Sequence, residues 1–478
     1  MKASQILAFA VGPVANALLG LATLPLVAWL FTPEDVGRMS MLNVALSFCL
    51  LFCSLGLDQA YVREFHAETH RGALFKKVLL PGLVVLLVIC IGFTLVPGSL
   101  TLLLTGQRDT SLSLLIMAGL LCAFLSRFLS LILRMQGRGL AFSLSQLMPR
   151  LIMLCATGVY TTFYTKHTLM QLVSAWALGL MVATGVLIWL TPGGWKIPRG
   201  SPAGSVRLKD MLRFGLPLIP GGMAFWGAST IDRVFVRTYA GFDELAVFSV
   251  AISVAGVAGI LQTVFTTVWT PVIYQRAEDA DVAEIVSKIT RWMTIAVVSM
   301  FCIVGLLSWT LRYILPSGYA ATGHILASCL GFPLLLTLSE VTSVGIGLRR
   351  KTLYLLMASA VTLGVNIALN AALVPATGAG GAAVATSLSF WFFLVLRTEF
   401  SVRVWQKTPR FEAYIFMLLC VCAAAMSSLT GNKAEGLLTG IWLMLLVSVL
   451  LCNRRFIWAE ISSFRQEIKQ KKTESCHR

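Results

Sequence analysis

Five runs of this chain contain no Asp, Glu, Lys or Arg: residues 3–33, 78–107, 168–195, 245–275 and 352–396. Charges are costly in hydrocarbon, so uncharged apolar runs of about 18 residues or more mark helices that cross a bilayer. The last run has 45 residues, enough for two spans. Hydrophobic residues make up 57% of the 478 and charged residues only 12%, a balance that a soluble core cannot absorb. The expectation is an all-α, multi-pass integral membrane protein. The first apolar run, after Lys2, is longer than the core of a cleavable signal peptide and reads as a retained span.

At about 20 residues per span, fourteen helices fit, near 5–31, 38–62, 78–97, 111–135, 141–164, 168–191, 213–236, 243–270, 288–311, 322–347, 352–374, 379–402, 411–429 and 434–452. Of the 38 Lys and Arg, 29 then fall on the side that holds both termini, and six fall opposite: Arg38, Arg108, Lys166, Arg237, Arg312 and Lys433. The positive-inside rule places both ends in the cytoplasm. The net charge of +17 is thus a topology signal and not a nucleic-acid footprint. The eleven cysteines lie mostly in mid-span, as Cys49, Cys90, Cys155 and Cys329 do, without metal or redox spacing, and read as small packing residues.

An internal repeat organises the chain. FTPEDVGRMSM (31–41) resembles AGFDELAVFSV (240–250), with Ser40 matching Ser249 at an offset of 209. AYVRE and IYQRA match at an offset of 213, pairing Tyr61 and Arg63 with Tyr274 and Arg276, and RGLAF (138–142) faces KTLYL (351–355) at the same offset. The expected domains are an N-terminal six-helix lobe (1–205), a parallel C-terminal six-helix lobe (206–405), an extra helix pair (406–453) and a basic cytoplasmic tail (454–478). Transporters built from repeats commonly bind substrate between them. The joint between the lobes is rich in Gly, Pro and Ser, and SVRLKDMLRF within it suits an interfacial amphipathic helix.

Ionisable groups inside spans mark candidate sites. Arg127 and Arg150 lie 11 and 12 residues from Arg138 in the turn between the fourth and fifth helices. At about 1.5 Å per residue both lie near the midplane. Arg127, Ser130, Arg134 and Arg138 share a face, forming a basic ladder from the cytoplasm inward. Neither helix carries an acid, so these arginines either hold an anionic, phosphorylated substrate or pair with Glu340 or backbone carbonyls. Glu340, nine residues before Arg349, is a candidate ion-coupling group or a salt-bridge partner. Asp232 is a second coupling candidate, although with Arg233 it lies near the outer end of a span, where interfacial anchoring is expected. Arg63, beside Asp58 at the inner end of the second helix, is placed to meet a headgroup; Asn43 is a candidate substrate contact or, with Asn16, helix-to-helix glue. Pro13 and Pro25 in the first helix, and Pro217 and Pro220 in the seventh, predict bends at matching places. No Walker loop, nucleophile elbow, metal spacing or large outward loop appears, so neither ATP nor any cofactor is implied.

FTPEDVGRMSM, LRFGLPLIPGG, STIDRVFVRTYAG, VWTPVIYQRAED and NIALNAALVPATGAGGAAVAT, in that order across about residues 5–405, resemble the multidrug/oligosaccharidyl-lipid/polysaccharide exporter superfamily. Within it the chain is similar to the Wzx-like flippases of lipid-linked oligosaccharides. The resemblance implies a cationic cavity between rocking lobes and an undecaprenyl-pyrophosphate-linked glycan as substrate. It further implies the bacterial cytoplasmic (inner) membrane as location, O-antigen or a similar surface polysaccharide as product, and a polymerase and chain-length machinery as partners beside membrane lipids. Drug-exporting relatives carry an acidic residue in helix 1, and lipid II flippases carry basic ones; this chain has neither there. A cation-coupled exporter and a membrane-embedded polymerase or acyltransferase stand as alternatives. Asn366 and Asn370 share one face of a helix, and GAGGAAVAT lets the next helix approach closely; the pair reads as a packing signature compatible with a polar site.

Overall fold

The computed structural model describes residues 3–68, 70–165, 167–192, 206–276, 281–431, 435–460 and 462. The expected linker over 193–205 and the tail beyond 462 lie outside the described residues. Backbone groups in lipid must bond within the chain, and the described elements are all helical: α1 (Ala3–Leu30), α2 (Pro33–Cys53), α3 (Leu57–Glu64), α4 (Arg71–Thr94), α5 (Ser99–Thr105), α6 (Thr110–Met135) and α7 (Gly139–Phe163). Then follow α8 (Leu169–Leu190), α9 (Leu208–Gly215), α10 (Ile219–Ala255), α11 (Gly259–Gln275), α12 (Val282–Leu307) and α13 (Leu311–Ile314). The chain continues through α14 (Thr322–Cys329), α15 (Gly331–Thr342), α16 (Val344–Leu348), α17 (Leu353–Val404), α18 (Phe411–Thr430) and α19 (Glu435–Cys452).

Eleven helical segments are long and apolar enough to cross a membrane. Two of them, Leu208–Thr263 and Leu353–Val404, each cover two expected spans. Each contains a break at one glycine, Gly241 (φ 87°) and Gly378 (φ 54°), a backbone region that other residues avoid. The second break is capped: a Glu244 carboxylate oxygen accepts from the Ala379 backbone N–H at 3.2 Å, placing negative charge at a helix start. Local signals begin other helices. The Thr32 hydroxyl accepts from the Asp35 N–H, with Pro33 in the first turn of α2. Asp109 caps α6 through Leu112, and Gln171 reaches back to the Thr168 N–H at the start of α8.

The structure departs from expectation in three places. The second expected helix is broken at Leu55 and Gly56, both at positive φ, giving α2 and α3. The outward segment near 97–110 contains α5, with Thr101 fully buried and bonded to the Ser113 hydroxyl at 3.0 Å. Pro217 and Pro220 do not bend a helix interior. They occupy the 3-10 turn Leu216–Leu218 and the first turn of α10, where a missing N–H is harmless.

Buried apolar side chains form two clusters, one drawn from residues 31–211 and one from 236–449 with Ala28, Met41 and Val44 added. They meet along α2 and α10. Ser249 donates to Ser40 at 2.6 Å, so two residues matched by the repeat touch each other. Such self-contact is what a residue on a two-fold axis makes. Beside it, a side chain at Gly37 would collide with the Phe242 carbonyl. The Phe242 ring carries Arg38 and Arg237 at 5.5 and 5.3 Å. Deeper in, Trp226 donates to Ser47 at 2.9 Å.

The extra helix pair, α18 and α19, docks on the second cluster. Trp442 packs where Gly305 of α12 has no side chain, and fully buried Asn453 bridges Arg291 (2.5 Å) and Glu412 (2.8 Å). Replacing Asn453 by Ala removes its bonds to half-buried Arg291 and exposed Glu412, and a loss of about 1 kcal/mol follows. We expect Asn453→Ala to lower the thermal midpoint of the detergent-purified protein; an unchanged midpoint would show that the bridge contributes nothing.

Candidate functional site

The basic residues expected at the membrane midplane are held by different partners. On α6, Arg127 reaches Asp58 of α3 at 2.7 Å, with the carboxylate 7% exposed and the guanidinium side chain 40% exposed. The break between α2 and α3 makes this pair, because it brings the short helix of Asp58 against the middle of α6. One guanidinium nitrogen is bonded to the acid and the rest of the fork remains accessible. Arg150, on α7, donates to the backbone carbonyl of Asn16 on α1 at 2.5 Å, beside Gly20, where a side chain would meet the guanidinium. A carbonyl orients the guanidinium without neutralising it, and among the described residues no carboxylate lies against Arg150. Arg150 is exposed, and the buried Asn16 side-chain oxygen beside it has no partner among the described residues.

Arg134 is exposed in the last turn of α6, on the ladder face below Arg127. Its neighbour Arg138 donates to the Leu190 carbonyl at 2.9 Å. Arg63 pairs with adjacent Glu64 at 3.2 Å and lies over the Phe214 ring at 4.6 Å, so it meets the end of α9. Asn43 is exposed on α2 and donates to the Met39 carbonyl of its own helix at 3.1 Å, which is not the helix-to-helix bond expected. Among the described residues Arg127 and Arg150 do not share a partner: one reaches α3 and the other α1.

The acidic candidates separate clearly. Glu340 on α15 pairs with Arg397 on α17 at 2.7 Å, not with Arg127 or Arg150. Arg397 is buried, although the charge count assigned it to the cytoplasmic fringe, and it also donates to Ser339 at 2.8 Å.

Asp232 on α10 does not anchor at the interface: it is only 1% exposed, because α17 covers it. One carboxylate oxygen accepts from the Arg233 N–H at 2.8 Å and the other from the Thr386 hydroxyl at 3.0 Å. Arg233 itself stands off at 4.0 Å. Behind Thr386, the Asn366 amide donates to the Thr386 hydroxyl at 3.4 Å, and the Asn370 amide to the Asn366 side-chain oxygen at 3.0 Å. Every donor in this chain points toward the Asp232 carboxylate, an arrangement that polarises successive bonds. The Asn370 side-chain oxygen is buried and unpartnered. The two asparagines of NIALNAALVPATGAGGAAVAT therefore serve a buried carboxylate. Asn366 and Thr386 lie on opposite arms of the hairpin that breaks at Gly378, twelve and eight residues from it. Asp232, on a helix in another part of the chain, left no signal of this pairing in the sequence.

Residues 3–276, more than half of the 478, match the family described as polysaccharide biosynthesis protein. No curated protein matches the chain. Among solved structures, the lipid II flippase MurJ in an inward closed conformation is similar over 94% of this chain and 99% of its own, at 14% identity with a TM-score of 0.67. An inward-facing multidrug resistance MATE family transporter of the MOP superfamily is similar over 84% of this chain and 98% of its own, at 16% identity with a TM-score of 0.56. A MOP superfamily transporter from Pyrococcus furiosus covers 88% of this chain with 96% of its own, at 15% identity with a TM-score of 0.51. At such identities the likeness is one of fold, and the fold is that of multi-pass membrane transporters. By the match of its own sequence, the chain belongs to the polysaccharide biosynthesis protein family.

Proposed function

We propose that this protein is a flippase that carries an undecaprenyl-pyrophosphate-linked oligosaccharide from the inner to the outer leaflet of the bacterial cytoplasmic membrane. Family membership supports a role in polysaccharide assembly, and the observation that carries the reading is Arg150. Its guanidinium is oriented by a carbonyl, opposed by no described carboxylate, and exposed halfway along α7. A diphosphate offers the paired oxygens that such a fork binds best. Arg127, held at one nitrogen by Asp58, contributes its free arm, and Arg134 and Arg63 line the approach from the cytoplasmic side. O-antigen or a similar surface polysaccharide is the product, with a polymerase and chain-length machinery acting afterwards on the delivered unit.

The two apolar clusters support lobes at 1–205 and 206–405, with the pair at 406–453 moving with the second. The charge distribution supports both termini in the cytoplasm, so the Ser40–Ser249 contact closes the outer end. Movement proceeds by separating the lobes there while they close elsewhere. Asp232 couples that movement to a proton or monovalent cation; its carboxylate is buried and bonded by an N–H and an O–H donor, with the Arg233 guanidinium standing off at 4.0 Å. Glu340, already paired with Arg397, is the weaker candidate.

Three measurements test this. Arg150→Ala should slow translocation of the lipid-linked unit in proteoliposomes roughly ten- to hundredfold, the worth of a charge-assisted bond; full activity in that protein would sink the assignment. For Arg127, removing the guanidinium strands the Asp58 carboxylate. Arg127→Ala should therefore lower thermal stability, and adding Asp58→Ala should recover part of the loss, whereas additive losses would mean the two groups are not coupled. Finally, Ser40→Cys with Ser249→Cys, in a background lacking the native cysteines, should form a disulfide on mild oxidation, block translocation and release it on reduction. Unimpaired transport by the cross-linked protein would show that the lobes need not part at this point.

A further inference from the structure

A cavity of about 260 Å³ opens between the end of α12, the start of α14 and the facing ends of α18 and α19, bordered by Trp309, Arg312, His324, Glu435, Thr439 and Trp442. It lies far in sequence from the arginines of the proposed diphosphate path and shares no residue with them. We propose that this cavity is a saccharide-binding site on the outer face of the protein, which takes one or two sugar rings of the delivered glycan. The proposal rests on the flippase reading for the identity of the glycan and for the outward orientation of Arg312.

The chemistry of the lining favours an uncharged polyhydroxylated ligand. Trp309 is 49% exposed at the rim, and Trp442 is almost wholly buried against Gly305, where it forms the floor. A sugar ring has an apolar face of C–H groups for the exposed Trp309 indole and an edge of hydroxyls for polar side chains, while buried Trp442 only shapes the floor. Arg312 and Glu435 supply that edge. Their charges cancel, which disfavours a phosphate, yet they stand 3.9 Å apart, beyond hydrogen-bond length. Each therefore keeps donors or acceptors to spare. Arg312 is positioned by its Nε bond to the Trp309 carbonyl at 3.1 Å, and its guanidinium lies 5.9 Å from the Trp309 ring centre. Glu435 is positioned at the start of α19, where Thr439 donates to its backbone carbonyl at 2.9 Å. The volume is near the lower edge of the roughly 300–1,000 Å³ usual for small-molecule sites, which suits a ring or two and not a whole repeat unit. The segment that carries Trp309 and Arg312 also touches the first lobe: Trp29 of α1 donates to the Ile314 carbonyl at 2.9 Å. A sugar held there sits beside the outer contact between the lobes.

The full chain in lipid nanodiscs can be titrated calorimetrically with the lipid-free oligosaccharide repeat unit released by mild acid from the host's surface polysaccharide. We expect saturable binding that weakens roughly tenfold or more in both Trp309→Ala and Glu435→Gln. Glu435→Gln preserves shape and removes only charge, so it keeps the test decisive where Trp309→Ala fails to fold. No saturable binding to the wild type, or wild-type affinity in Glu435→Gln and in a folded Trp309→Ala, overturns the site. Translocation of the lipid-linked unit, measured in parallel with the wild type, separates the two readings. If translocation proceeds while the free saccharide does not bind, only this inference fails; if translocation is absent, the flippase reading fails and the titration still decides whether the cavity takes sugars.

Discussion

A polar group inside hydrocarbon must find its partner within the protein, and this requirement arranges most of what is described above. It makes the backbone helical and confines the sharp breaks to places with special provision, as at Gly378 with Glu244 bonded to the next N–H. It also pairs the buried charges. Asp58 finds Arg127, Glu340 finds Arg397, and Asp232 gathers Arg233, Thr386 and two asparagines behind them. A cost of a few kcal/mol for each unpaired ionised group makes such pairing the rule, and gives meaning to the groups that escape it.

Seen this way, the charged residues divide by what already satisfies them. Arg397 and Glu340 satisfy each other and tie α15 to α17. Arg127 is tied at one arm. Arg150 is bonded to a carbonyl that leaves its charge intact. The first pair ties α15 to α17, while Arg127 and Arg150 keep exposed guanidinium nitrogens. The acidic side shows the same division, with Asp232 bonded only through N–H and O–H donors and the looser Arg233. The arginines proposed to bind an anion and the acid proposed for coupling thus lie on either side of the contact of α2 with α10.

Several elements were legible in the sequence because their signals are local. Charge-free runs locate the spans, and the helices fall close to the expected ranges. The repeat offset of 209 anticipated that Ser40 and Ser249 are equivalent, although not that they touch. The asparagines at 366 and 370 and their small-residue neighbours were correctly seen as one helix hairpin. Other features were misjudged where depth was inferred by counting from a span end. Asp232 lies near the outer end of the expected helix 213–236, a place where side chains can reach water, but α17 covers it and leaves it 1% exposed. Arg397 follows an uncharged run and looked like a cytoplasmic residue, yet it is buried against Ser339 and Glu340. Counting measures distance along an axis and carries no information about which neighbour stands beside it.

By itself, then, the sequence determined that this chain lives in a membrane, where most of its helices run, and which few polar residues are out of place in lipid. Those properties follow from transfer free energies and helix geometry, which act residue by residue along the chain. Tertiary structure alone decided which of those polar residues are spent on one another. Asp58 and Arg127 are 69 positions apart, and Thr386 and Asp232 are 154 apart. Pairing across such separations depends on the rotation and packing of whole helices, so only the assembled bundle could show that Arg150 is bonded to a carbonyl and that Asp232 is buried under α17.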